Sequence, residues 1–122
     1  MAIRGYSKTG LAGAAIKRGR LLKFGADRHH FVQADGSAGE IIIGVADTDA
    51  EIEAPIDAVM DRIPEVGLGG VVKEGDPLKS NADGRAIKAV ADDLAFGVAW
   101  VDGIADTTDE PGGEILIGRF KV

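Results

Sequence analysis

One pattern occurs twice in the chain. Lys17-x-Gly19-x-x-Leu22-Lys23-x-x-Ala26-Asp27 is matched by Lys73-x-Gly75-x-x-Leu78-Lys79-x-x-Ala82-Asp83 at an offset of 56. Further on, Gly44-Val45-Ala46 is matched by Gly97-Val98-Ala99 at an offset of 53, so the second copy is three residues shorter between its motifs. Each copy reads as a Gly turn, a strand, an Asp-bearing turn, a second strand, and a strand carrying Gly-Val-Ala. The repeated Gly marks a turn that needs positive φ, and the repeated Leu marks a core position. Copies of about residues 17–56 and 73–110 predict a duplicated β unit that buries its core against its own duplicate, in a closed or nearly closed fold.

The rest of the chain is consistent with β structure. Gly makes up 18 of 122 residues, about twice the usual share. The longest Gly-free run, Val45 to Val66, is broken by Pro55 and Pro64 and has no sustained 3.6-residue apolar period. At most one short helix is expected, over Asp57 to Arg62, and Ala58-Val59-Met60 could equally be strand. Strands are expected at Arg20–Phe24, His30–Gln33, Glu40–Ala46 (the most apolar and most central), Val71-Val72, Ala86–Val90, Phe96–Val101 and Glu114–Val122. Seven or eight short strands with turns every 8–12 residues predict an all-β protein, a small β-barrel or β-sandwich of β-tulip-like form. Residues 1–16, with Gly5, Gly10 and Gly13 among small neighbours, predict an extended N-terminal arm ahead of a single β domain over 17–122.

The net charge of −6 conceals a division. Residues 1–30 hold seven basic residues against Asp27 alone, giving +6, and the remainder holds seven basic and nineteen acidic residues, giving −12. A basic leader on an acidic body reads either as an interaction arm or as two halves that neutralise each other within one fold or between neighbouring subunits. The absence of Cys excludes a disulfide scaffold, a thiolate metal cluster and a cysteine nucleophile. No apolar run approaches the ~20 residues needed to span a bilayer, and no secretory signal is visible.

Catalytic chemistry finds little footing. The two histidines, His29-His30, are adjacent, so in a strand they point to opposite faces and neither chelate one metal nor form a relay. No Ser sits in a Gly-x-Ser-x-Gly elbow. Asp47-x-Asp49-x-Glu51-x-Glu53 begins like a calcium loop, but Ile52 and Ala58 stand where such a loop needs Gly and Glu. Asp106-Thr107-Thr108-Asp109-Glu110 reads as a polar loop, with a weak cation site as the alternative. Gly67-Leu68-Gly69-Gly70 lacks the Lys and the helix that phosphate binding requires, and Lys79 matches Lys23 in the repeat and takes a strand position. Neither an enzyme nor a cofactor-dependent protein is expected, and no metal or catalytic site is assigned. A small nucleic-acid-binding β-barrel using the basic leader is the alternative. Against it, Tyr6 is the only aromatic among the first twenty residues, and the acidic body would repel phosphate.

Taken in order, the basic Gly/Ala leader, Gly19-x-Leu21-Leu22, Ile42-Ile43-Gly44-Val45-Ala46, Val71 to Asp76, Phe96-Gly97-Val98-Ala99 and the closing Glu114-Ile115-Leu116-Ile117 resemble the capsid cement, or head decoration, proteins of tailed bacteriophages. The resemblance runs from about Lys17 to Val122. It implies a β-rich virion protein without enzymatic activity, made in the host cytoplasm, that docks on the outer capsid surface. There it would bridge major capsid protein subunits and stabilise the expanded head. It also implies self-association, best as a trimer, with no membrane partner. The N-terminal segment would lie on the shell, so Arg4, Lys8, Lys17, Arg18 and Arg20 are expected to meet acidic capsid surface.

Overall fold

The computed structural model describes residues 7–37, 39–60 and 63–122, and among these the chain forms ten strands and no helix. The first five are β1 (Ser7–Ala12), β2 (Leu21–Phe24), β3 (His30–Gln33), β4 (Gly44–Ala46) and β5 (Pro55–Val59). They close into a barrel in the order β1-β3-β2-β4-β5, with β5 returning to β1. All ladders are antiparallel except β1 with β3. The second five are β6 (Glu65–Val66), β7 (Pro77–Ser80), β8 (Ala86–Lys88), β9 (Leu94–Ala99) and β10 (Gly113–Lys121). Their sheet, in the order β6-β10-β9-β7-β8, is drawn round by one parallel bridge, Leu68 to Ala86, just past the end of β6.

The two bodies are the same unit twice over. Leu22 faces Gly44 across the β2–β4 ladder as Leu78 faces Gly97 across β7–β9. Ile16 is bridged to Ala50 as Val72 is bridged to Gly103, with reciprocal backbone bonds of 2.8–3.0 Å in both. Gly19 and Gly75 hold φ of +85° and +87°, and their N–H groups donate to Ala46 and Ala99 respectively. The Asp49 carboxylate accepts the Arg18 N–H, and the Asp102 carboxylate accepts the Glu74 N–H, both at 2.8 Å. Lys23 pairs with Glu40 as Lys79 pairs with Asp93. The positions expected from sequence to be paired joints are therefore equivalent in space. The unit is longer than expected, however: β1 and β6 add a fifth strand ahead of each Gly turn, and β5 and β10 follow the Gly-Val-Ala strand. The first copy closes around a core of its own, and the core of the second continues onto the outside of the first, so the expected burial of each copy against its duplicate holds for one of the two cores.

The N-terminal expectation needs correction. Within residues 1–16, Ser7–Ala12 is a barrel strand with five paired residues on β5, and Ala12 and Ile16 are buried. Small residues there reflect packing: a Cβ on Gly10 would stand 2.7 Å from the Phe31 ring, which fills the first barrel. Residues 1–6 lie outside the described part. The expected central strand Glu40–Ala46 shrinks to Gly44–Ala46, because the Glu40 carboxylate accepts the N–H groups of Asp35 and Gly36 and holds the chain in a turn. Val71-Val72 contributes one bridge and no strand. Pro55–Val59 is strand, and Asp61 and Arg62, the end of the helical alternative, lie outside the described residues.

The two cores fill space differently. In the first barrel Phe31 is the large residue and its bridge partner Ala12 the small one. In the second the pair is inverted, Leu68 against Ala86. Gly113, equivalent to Ile56, leaves room for Leu68, whose Cγ would stand 2.7 Å from an added Cβ. Compensation of this kind preserves packing density while individual residues change. Between the bodies, Leu21, Ala34, Ile42 and Val45 on the outside of the first barrel join the cluster of Val66, Leu68, Leu78 and Ile115 in the second.

Gly44 and Gly97 mark the tightest recurring approach. A Cβ on either would stand 2.6 Å from a backbone oxygen of the neighbouring strand, Val59 O and Leu116 O respectively. Backbone cannot yield as a flexible side chain can, so Gly44→Ala and Gly97→Ala are each expected to destabilise by roughly 1–3 kcal/mol in urea unfolding. Gly70→Ala, whose Cβ meets only Ile87 at 3.8 Å, should stay within about 0.5 kcal/mol.

Candidate interaction surface

The basic residues expected to form an arm separate into two groups. Lys8 lies exposed on β1 and Lys17 lies exposed in the turn before β2. Lys17 lines a polar cleft of about 430 Å³ together with Arg18, Thr48, Asp49, Asp109 and Glu110. Arg4 lies outside the described residues. Arg18 and Arg20 are engaged within the fold. The Arg18 guanidinium contacts Glu110 at 2.6 Å and Glu65 at 3.7 Å. Arg20 is 8% exposed and donates to the Asp83 carbonyl at 2.9 Å and to Asp109 at 3.0 Å. Both therefore tie the first barrel to the second. The division of charge seen in the sequence is thus in part a contact between the two bodies, made by Arg18 and Arg20, and Arg20 is withdrawn from the capsid-facing set because its donors are occupied and buried.

The acidic loop is pinned in the same way. The Asp106 carboxylate accepts the N–H groups of Leu68, at 2.7 Å, and Gly112, at 3.2 Å. Asp109 faces Arg20 and Arg85, and Glu110 faces Arg18. Its carboxylates serve arginines and backbone donors, and among the described residues no group of three His, Cys, Asp or Glu is placed to hold a metal. Lys79 occupies the expected strand position, on β7.

Two further clusters, both electrostatic, were not read from the sequence. Lys23 reaches Asp35 at 3.0 Å and Glu40 at 3.3 Å, and hydrogen bonding to Asp35 raises the Lys23 pKa. The Asp35 carboxyl is held below its ordinary range, first by the Ser37 hydroxyl and then by Lys23. His30 starts β3 with Nδ1 3.0 Å from Asp27 and Nε2 3.2 Å from Glu53. A neutral imidazole has one N–H, so two flanking carboxylates favour the doubly protonated ring, and the Asp27 contact raises the His30 pKa above 6.5.

No family model matches the chain, and no curated protein matches it. Among solved structures, the N base of the head fiber gp8.5 of bacteriophage phi29 matches with a TM-score of 0.73 and 22% identity, covering 98% of each chain. The two share a fold. Because the likeness extends over both barrels, it includes the tandem arrangement as well as the single five-stranded unit.

Two outcomes follow for these clusters. Arg20→Ala leaves the Asp83 carbonyl and Asp109 without their donor and should lower stability by about 1–3 kcal/mol, while Lys17→Ala should change it by less than about 0.5 kcal/mol. A group whose pKa is raised on folding stabilises fully below its unfolded pKa and ceases to do so above its folded one. The thermal midpoint of the wild type should therefore exceed that of His30→Gln at about pH 5.5 and converge with it towards about pH 8.5. A difference that grew with pH would contradict the ion-pair geometry.

Proposed function

We propose that the protein is a structural component of a tailed-phage head, docking on the outer surface of the capsid and cementing neighbouring major capsid protein subunits so that the expanded head is stabilised. The observation that carries this reading is the fold shared with a head-fiber base over 98% of both chains. The cement-family pattern in the sequence, which spans the repeat, supports it independently. Exposed cations at Lys8 and Lys17 supply the contact to an acidic shell, with Arg4 preceding them in sequence. Many identical copies can resist expansion through individually modest contacts, because failure of the shell needs several to open together. The same role includes association with further copies of the chain, for which the family resemblance implies a trimer.

Likeness to the base of a head fiber favours a second reading, a base that fastens a projecting appendage to the head. Both readings place the protein on the capsid exterior and differ in what binding does to the shell. Purified protein added to expanded heads lacking it should bind saturably, as counted by sedimentation, and a cement should raise the temperature of head rupture. Saturable binding with an unchanged rupture temperature supports the base. Absence of saturable binding refutes both. Replacing Lys8 and Lys17 together by Glu should weaken binding about tenfold, through the on-rate and more strongly at low salt.

A further inference from the structure

The duplication makes the two barrels controls for one another, and one comparison between them is out of balance. On the outside of the first barrel, Leu21, Val45 and Val59 form a contiguous row across β2, β4 and β5, and they are 0%, 1% and 2% exposed. The second barrel carries the same row across β7, β9 and β10, in the same register: Pro77 faces Val98, and Val98 faces Leu116. There Pro77 and Val98 are half-buried, Leu116 is 42% exposed, and Trp100, one position beyond Ala99, is 45% exposed. An apolar row is covered in one copy and open in its duplicate.

What covers the first row is known. It is the edge of the second barrel: the chain at Val66-Gly67, where Gly67 N–H donates to Gly19 O, and the β7–β8 turn, where Leu21 N–H donates to Gly84 O. Gly67 and Gly84 are buried, and Ser80, at the start of that turn, is 5% exposed. The equivalent edge of the first barrel is open. There Phe24 takes the place of Ser80 and is 44% exposed, and the β2–β3 turn through Arg28 and His29 is exposed. The molecule thus carries one closed row-to-edge junction and, at its two ends, the unmatched halves of a second.

Charge agrees with this. At the closed junction the row is flanked by Arg18 and Arg20, and the edge that meets it supplies Glu65, Asp109 and Glu110. At the open row the equivalent positions are Glu74 and Asp76, the latter 3.9 Å from Lys88, and at the open edge stands Arg28, in no ion pair among the described residues, beside Asp27, which pairs with His30. The unpaired charges are therefore reversed, Glu74 at the row and Arg28 at the edge, so the open halves are complementary to each other and mismatched to the closed ones.

We propose that the open row of the second barrel, Pro77-Val98-Leu116 with Trp100, docks the open edge of the first barrel of another copy of this chain, so that the junction inside the molecule is repeated between molecules. Such a contact is heterologous: it uses two different surfaces of each subunit and leads to a closed ring when the rotation closes and to an open chain when it does not. Trp100, beside an apolar row, has the character of an interface anchor. The proposal supplies surfaces for the self-association included in the head-protein reading, but it concerns the isolated protein. Its failure would leave capsid binding untouched, and failure of capsid binding would leave it standing.

The test is sedimentation velocity over a concentration series, with circular dichroism melts confirming that each variant is folded. Wild type should form a concentration-dependent oligomer. Leu116→Asp on the row and Arg28→Glu on the edge should each weaken assembly about tenfold or more, a change of about 1.4 kcal/mol or more. Combining Glu74→Lys with Arg28→Glu in one chain restores opposite charges across the contact and should recover assembly relative to either change alone. Mixing Leu116→Asp with Arg28→Glu should give a dimer that grows no further, since each retains the half that the other lacks. A wild type that stays monomeric throughout overturns the proposal. So does an oligomer broken by Leu116→Asp and indifferent to Arg28→Glu, which marks row-to-row pairing, and so does a mixture that forms no dimer.

Discussion

Each barrel depends on one parallel pairing. Four of the five ladders in the unit are antiparallel, three of them between strands close in sequence and one between the first strand and the last, but a sheet built only from these four remains open along two edges. Closure comes when the first strand lies parallel to the third, through Leu11 and Ala12 on His30 and Phe31 in the first copy and through Leu68 on Ala86 in the second. With edges paired, the inward side chains are enclosed, and a unit of about fifty residues can hold a dry core that an open sheet of that size could not. The first barrel achieves closure with a six-residue strand, while the second does so with a two-residue strand and one bridge. Pro64, which has no N–H to donate, stands where Lys8 stands in the first copy and accounts for part of that difference.

How far the sequence showed this depends on the range of the interaction. The joints of the repeat were legible because each is a local requirement: Gly19 and Gly75 sit at positive φ, Leu22 and Leu78 are fully buried, and the Lys after each is paired. The strands that precede those joints were hidden. β1 and β6 share no residue pattern, because their core positions exchange volume with distant partners, Ala12 with Phe31 and Leu68 with Ala86. Identity is lost wherever one copy puts bulk on one strand and the other copy puts it on another. Small residues at the start of the chain consequently read as an extended arm, when at Gly10 their size is the complement of the Phe31 ring.

The division of charge left two readings open for a similar reason. A count over a segment records how many cations it holds and nothing of where their partners lie. Arg18 and Glu110 are 92 residues apart, Arg20 and Asp109 are 89 apart, and each pair joins one barrel to the other. The acidic loop at residues 106–112 has no counterpart of equal length in the first copy, and Asp106 shows how it was accommodated. Ala12 N–H donates to the Ala54 carbonyl, whereas the equivalent Leu68 N–H donates to the Asp106 carboxylate, a side chain replacing backbone that the longer loop carries elsewhere. The loop then places Asp109 and Glu110 over the arginines. What distinguishes the second copy from the first is in good part the apparatus for binding it.

A duplicated unit that packs head to tail has no intrinsic reason to stop at two, since the surface that one copy offers to the next is offered again by the last. A monomeric protein must cap that surface with polar residues. In this chain the final row keeps its apolar character at Val98 and Leu116 and gains Trp100 at the position equivalent to Asp47. Leaving large apolar side chains on a free face carries a cost in solubility that a polar substitution would remove. The reversal of flanking charge, arginines inside the molecule and carboxylates at its end, separates the two junctions, so that the open row is ill suited to the edge already used within the chain and suited to the one that is free. In the proposed contact, order within the molecule and contact beyond it are set by the same geometry with opposite charges, and the two halves that one chain carries are what a second copy would engage.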